Sequence, residues 1–230
     1  MKLLTSSNRK TVKGEKFGYM TYILHLSPAD RSGYQTCPKA SAGCKKMCLN
    51  ESGMGFSNRV QNARIEKTKY FFENREAFMN DLVREVSNKI KGAVKKNAIP
   101  AFRLNGTSDI AWEKIRCVKG GIEYRNIMEA FPNIQFYDYT KIAGRKNLPG
   151  NYHMTFSRSE NNDLDVRLAI SNNMNVAVVF STLPETYLNR KVVNGDLSDL
   201  RFLDASNVIV GLTPKGRGRH DKSGFVLQTC

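Results

Sequence analysis

Phe17-Gly18-Tyr19-Met20-Thr21-Tyr22-Ile23-Leu24-His25-Leu26 is aromatic and β-branched and stops at Ser27-Pro28, the composition and ending of a strand that runs into a turn. A cysteine-bearing loop follows at once. From Ser57 to about Asn97 the spacing changes. Phe71, Phe72, Phe78, Leu82, Val86, Ile90 and Val94 recur mostly at four to six residues with charge between them, which predicts two helices broken near Asn74. Short apolar runs come next, at Ile99–Leu104, Asn133–Tyr139, Tyr152–Phe156, Asn175–Phe180 and Asn207–Leu212. Helical stretches at Tyr124–Phe131 and Asp163–Asn172 lie between some of them, the rhythm of parallel strands joined by right-handed crossovers. The expected fold is α/β, a partial or distorted TIM-like barrel of about six parallel strands. An open doubly wound sheet has the same rhythm and is the alternative. Repeats and low-complexity blocks are absent, which excludes solenoids and propellers, and 230 residues suit one domain over residues 1–230. In either architecture, sites gather where strand C-termini meet their loops.

The first such loop, residues 36–56, contains Thr36-Cys37-Pro38 and then Gly43-Cys44 and Cys48, a C-x6-C-x3-C spacing. Three of the five cysteines crowd into twelve residues, and in a reducing compartment such crowding favours metal over disulfides. Structural zinc normally takes four protein ligands in two C-x2-4-C pairs. Three thiolates can instead hold a cubane cluster and leave one iron open. Cys37, Cys44 and Cys48 are therefore expected to ligate an iron-sulfur cluster, [4Fe-4S] in type. A zinc site completed by His25, Cys117 or Cys230, or three unrelated thiols, are the alternatives. Lys39, Lys45 and Lys46 would help keep the thiols ionised. Cys117 reads by default as a small half-buried side chain.

The later loops supply further candidates. After the second strand, Asn105-Gly106 leads to Asp109, and Asp109 is either a ligand contact or the cap of a helix running into Trp112. Tyr137, Tyr139 and Lys141 fall on one side of the third strand. Asp109, Tyr139 and Lys141 are the catalytic candidates. The last strand runs into Lys215-Gly216-Arg217-Gly218-Arg219, a basic loop suited to phosphate. Asn105, Lys215 and Arg217 are accordingly the cofactor-binding candidates. Neither a Walker loop, a G-x-S-x-G elbow, a Rossmann fingerprint nor an H-E-x-x-H helix is present. His25, His153 and His220 read as structural.

The chain carries 36 basic and 21 acidic side chains, a formal charge of +15, enough to concentrate polyanions near its surface. DNA, RNA or a nucleotide is the expected partner. No apolar run approaches the roughly 18 residues of a membrane span, and Met1–Lys16 lacks the apolar centre of a secretory signal, so a cytoplasmic protein is expected.

With these pieces placed, the sequence resembles the "gene product eighty-eight" family of bacteriophages through most of its length. The likeness is carried by Thr36-Cys37-Pro38 with Cys44 and Cys48, Phe102-Arg103-Leu104 with Gly106 and Asp109, Phe136 to Lys141, Val208 to Leu212, Lys215-Gly216 and Ser223-Gly224-Phe225. It implies a phage-encoded protein in an infected bacterial host, in some genomes labelled replication-associated. The architecture also looks like a radical S-adenosylmethionine enzyme, which carries three cluster cysteines on the loop after its first strand. Those enzymes typically space them C-x3-C-x2-C, and their glycine-rich motif is represented here only by Asn105-Gly106. This second resemblance implies S-adenosylmethionine as a possible cofactor, and redox, radical or sulfur-transfer chemistry. The reading from another class is a DNA-binding replication protein, of initiator or nuclease type, whose metal only staples the fold; a metal hydrolase is the third.

Overall fold

The computed structural model describes residues 1–6 and 14–229. Cys230, a candidate fourth ligand, and part of the basic N-terminal stretch lie outside the described residues. In chain order the strands are β1 (Leu4–Thr5), β2 (Tyr19–Leu24), β3 (Ile99–Arg103), β4 (Cys117–Lys119), β5 (Ile122–Tyr124), β6 (Gln135–Thr140), β7 (Tyr152–Ser157), β8 (Val176–Phe180), β9 (Thr186–Tyr187), β10 (Arg190–Asn194), β11 (Ile209–Leu212) and β12 (Val226–Leu227). The helices are α1 (Ala42–Lys46), α2 (Asn58–Glu73), α3 (Arg75–Val94), α4 (Ile127–Ala130) and α5 (Asp163–Ser171). None among the described residues is long and apolar enough to cross a membrane.

One large sheet runs β1-β2-β3-β6-β7-β8-β11-β10-β9. From β2 to β10 every pairing is parallel, and only β1 and β9 are antiparallel at the edges. The first five parallel strands, β2 to β8, are neighbours in chain order, without the reversal that a doubly wound sheet makes at its switch point, and β11 then lies between β8 and β10. β8 pairs with β7 through Val176 and Ala177, and with β12 through Val179 and Phe180. The sheet therefore splays at this C-terminal edge, where β12 takes the place of β7.

Strand alternation gives the two faces different chemistry. Tyr22, Leu24, Phe102, Phe136 and Met154 pack with Phe71 of α2 and Phe78, Leu82 and Val86 of α3 in one buried cluster. Phe156, Val176, Val178 and Phe180 pack with Val166 and Ala169 of α5 in a second. The alternate residues, among them Thr21, Arg103, Tyr137 and Thr155, are buried and polar. The segment through Asp199 and Phe202 meets these residues, with Phe202 edge-on to Tyr19 and tilted against Tyr137.

The helix break falls at Asn74, whose N–H donates to Tyr70 O and whose carbonyl accepts from Phe78 N. Three expectations change. Tyr124–Phe131 is one helical turn, α4, preceded by the β4–β5 hairpin, because the hairpin's Gly120-Gly121 turn supplies two positive φ angles. Asp109 caps no helix: Trp112–Lys114 is a 3-10 turn whose N-cap is Ala111. β10 is a further parallel strand, so the parallel run has seven strands rather than six.

Candidate functional site at the C-terminal edge of the sheet

The loop after β2 is folded back over the strand ends by hydrogen bonds that its sequence supplies. Thr36 Oγ1 donates to Ser27 O at 2.7 Å and Thr36 N–H to Ala29 O at 2.9 Å. Ser41 caps α1 by accepting from Cys44 N–H at 3.1 Å. The carboxylate of Glu160, beyond β7, accepts from Ser41 Oγ and from Gly43 N–H, both at 2.7 Å. A side chain at residue 43 would collide with Ser223 Oγ and the Glu160 carboxyl. Arg64 of α2 holds Asn50 Oδ1 at 2.5 Å.

Cys37, Cys44 and Cys48 thereby line one cavity of about 230 Å³ at the C-terminal ends of the parallel strands. Ala29 N–H donates to Cys37 Sγ at 3.4 Å, and the Asn50 backbone bonds Cys48. Burial nevertheless pushes the Cys37 thiol up and takes Cys48 to about 11. Lys45 does not counter this, since its ammonium is engaged with Asp30 at 3.1 Å. At Cys37 and Cys48 burial thus outweighs any help from the loop lysines, and ligation would have to displace their protons. Among the described residues no group of three or more His, Cys, Asp and Glu is placed to hold a metal ion. The thiols share a cavity without forming a closed coordination sphere for one ion. Cys117 sits elsewhere, buried in the core against the helices. His25, at the end of β2, is kept neutral, its pKa lowered to about 3 by burial and by Arg64, Arg103 and Lys67.

The opposite wall comes from β3, β6 and the last loops, and there the structure brings Asn105, Asp109, Tyr139, Lys141 and Lys215 to the same cavity. Their side chains are committed to different degrees. Asn105 Oδ1 accepts from Ser108 Oγ, Ile110 N–H and Trp112 Nε1, and its Nδ2 donates to Ile110 O, so the side chain staples its own loop. Asp109 accepts from Thr140 Oγ1 and Lys141 N–H, each at 2.8 Å, and from Arg145 at 3.4 Å. Burial raises its pKa against these three. Lys215 donates to Asp196 at 2.7 Å. Burial would raise the Asp196 carboxyl, but the bonds from Lys215 and Thr213 outweigh it and bring the pKa down to about 2. Lys141 Nζ donates to Ser157 Oγ at 2.7 Å. The Tyr139 hydroxyl is buried without a hydrogen-bond partner among the described residues. Arg217 is the one candidate that does not line the cavity; its guanidinium lies 5.7 Å from the Phe56 ring centroid.

Gly106 earns its place by close approach, though to the neighbouring strand, since its N–H donates to Leu24 O at 2.9 Å. Sequence reasoning passed over Arg103, a charge at the end of an apolar strand. It is 8% exposed, paired with Asp199 at 3.1 Å, and lies over the Tyr139 ring. It also passed over Asp138, which faces the other way and accepts from Asn105 N–H and Tyr152 Oη. Burial pushes Asp138 up to about 7 against Arg103 and those donors. Arg145, which grips Glu113 as well as Asp109, and Glu160 had no local signal, because their partners are over thirty residues away.

A family model described as Gene product 88 matches residues 2–229, and the chain belongs to that family. No curated protein and no solved structure matches it.

Proposed function

We propose that this gene product 88 family member is a phage-encoded protein that binds an iron-sulfur cluster through Cys37, Cys44 and Cys48 at the mouth of an incomplete TIM-like barrel. The observation that carries the reading is the convergence of all three thiols on one cavity at the C-terminal edge of the sheet. The donor set supports it: Ala29 N–H points at one sulfur and the Asn50 backbone bonds another, contacts that stabilise a thiolate more than a thiol. A single divalent ion fits less well. Structural zinc normally takes four protein ligands, and three cysteines line this cavity, the number that holds a cluster while leaving one iron open.

When bound, a cluster with three protein thiolates supplies one-electron chemistry and an iron open to another molecule. The chain supplies the rest. Glu160 and Thr36 fix the loop, partial burial limits the water around the thiols, and Lys141 and Arg103 set a positive potential opposite them. Redox, radical or sulfur-transfer chemistry on a nucleotide or nucleic acid follows from an open site in a basic protein.

Protein purified without oxygen should be brown, absorb broadly at the violet end of the visible range, bleach on dithionite reduction, and contain iron and sulfide. Cys37→Ala, Cys44→Ala and Cys48→Ala should each lose most of the iron, and Cys117→Ala should retain it. Colourless protein with stoichiometric zinc after anaerobic reconstitution, or a Cys44→Ala variant with a full cluster, would overturn the reading.

A further inference from the structure

Basic side chains are concentrated around the cavity mouth. Residues 37–56 and 213–224 hold seven basic residues and two acidic ones, against 36 and 21 in the whole chain. These two stretches, the cysteine loop and the loop after β11, touch each other. A Cβ on Gly43 would meet Ser223 Oγ at 2.6 Å, and one on Gly218 would stand 3.9 Å from Met47 Sδ. The Arg217 guanidinium lies 5.7 Å from the Phe56 ring centroid. Lys45 and Lys215 are neutralised by Asp30 and Asp196. Lys39, Arg217, Arg219 and Lys222 are exposed and enter no ion pair among the described residues. Apolar groups are exposed on the same loops: Leu49, Met54 and the Phe56 ring. The opening also extends beyond the thiols. A second hollow shares Thr213, Pro214, Gly218 and Val226 with the cavity and is lined further on by Arg219 and Gln228.

We infer that these two loops form a docking surface for single-stranded nucleic acid, with phosphates on Lys39, Arg217, Arg219 and Lys222 and an unpaired base on Phe56. Unpaired cations alone would suit any polyanion. The exposed ring separates the polyanions. A duplex keeps its bases stacked inside and presents phosphate and sugar, and a run of acidic residues carries charge without rings. A single strand offers charge and flat faces together, the combination that cations interleaved with an aromatic ring take. The guanidinium of Arg217 beside the ring is itself planar and stacks on flat groups. The adjoining hollows give a linear ligand room to continue beyond the thiols, which one small molecule would not use.

The inference deepens the proposed function by naming the partner, and rests on the cluster only for what happens to a strand held beside it. The test is fluorescence anisotropy of labelled oligo(dT) and oligo(U), about twelve nucleotides long, with the full chain purified without oxygen. Iron and sulfide are determined on the same samples. Binding of either strand upholds the inference, and the ratio of the two tells DNA from RNA. Affinity should fall with salt at a logarithmic slope near −3, about −0.7 for each of four phosphates. A duplex of the same length should bind about tenfold or more weakly, and polyglutamate should compete as poorly. Phe56→Ala should weaken the single strand about fivefold or more and leave the salt slope alone, whereas Arg219→Gln should reduce the slope by about 0.7. Both variants retain the three cysteines, so iron content should not move. Duplex bound as tightly as single strand, polyglutamate competing as well as oligo(dT), parental affinity in Phe56→Ala, or no binding at low salt by folded protein carrying its cluster would each overturn the inference and leave the cluster reading intact. Single-strand binding by protein that cannot be loaded with iron would uphold it and overturn the cluster reading.

Discussion

A Cβ on Gly106 would stand 2.6 Å from Ile23 Cγ2 and 2.7 Å from both His25 Cδ2 and Leu24 O. Two of these atoms belong to the β2 backbone or to a side chain fixed on it, so the collision cannot be relieved by rotating a flexible tip. Gly106→Ala should cost about 1–3 kcal/mol, the usual range for overpacking, read as a lower urea midpoint at unchanged slope. That this glycine served close approach was legible; that the approaching group is the neighbouring strand was not, because register is invisible in a single chain. Asp138 makes the same point with charge. Its carboxyl is fully buried and holds its proton to about 7, against an ordinary value of 3.8, so the folded chain binds that proton more tightly than the unfolded one. The stability it contributes is therefore complete below about pH 4, is lost as pH rises towards 7, and changes no further above it. Asp138→Asn should flatten the urea midpoint across this interval, and an unchanged slope would mean that the carboxyl stays ionised between its two donors.

The cysteine loop is an element without its own core. It is held by Thr36 against the β2 turn and by the single carboxylate of Glu160 against α1. Glu160→Ala removes both α1 bonds at once and leaves the thiols in the chain. We expect far-ultraviolet circular dichroism to stay the same while iron is lost to a chelator several-fold faster; equal release rates would show that the ligands alone position the loop. The same scale explains what a reader of the sequence sees and misses. α2, α3, β6, β7 and β8 announced themselves because one face of each is deeply buried, which forces periodicity on the residues. β10 reads Arg190-Lys191-Val192-Val193-Asn194 and has no fully buried position, so no hydrophobic pattern was needed to build it; pairing with β11 suffices. β9 and β12 have two residues each, too few to carry a period.

Across the whole molecule, the polar face of the sheet is joined to the segment between β10 and β11 by Asp199, which accepts from Arg103 at 3.1 Å and from Tyr137 at 3.2 Å. The Arg103–Asp199 side chains are 9% and 1% exposed, whereas those of Arg116–Glu123 are 71% and 57% exposed. Magnitude separates the two. Breaking a buried pair strands a charge in low dielectric and costs about 3–5 kcal/mol, while an exposed pair contributes about 0–1 kcal/mol. Asp199→Asn should therefore lower unfolding free energy severely, and Glu123→Ala barely. Removing both buried charges as Arg103→Met with Asp199→Leu should recover much of the loss, since a well-packed apolar pair is often no worse than the ion pair it replaces. A double variant no more stable than Asp199→Asn alone would show instead that the charges themselves, and not the space they fill, tie this segment to the sheet.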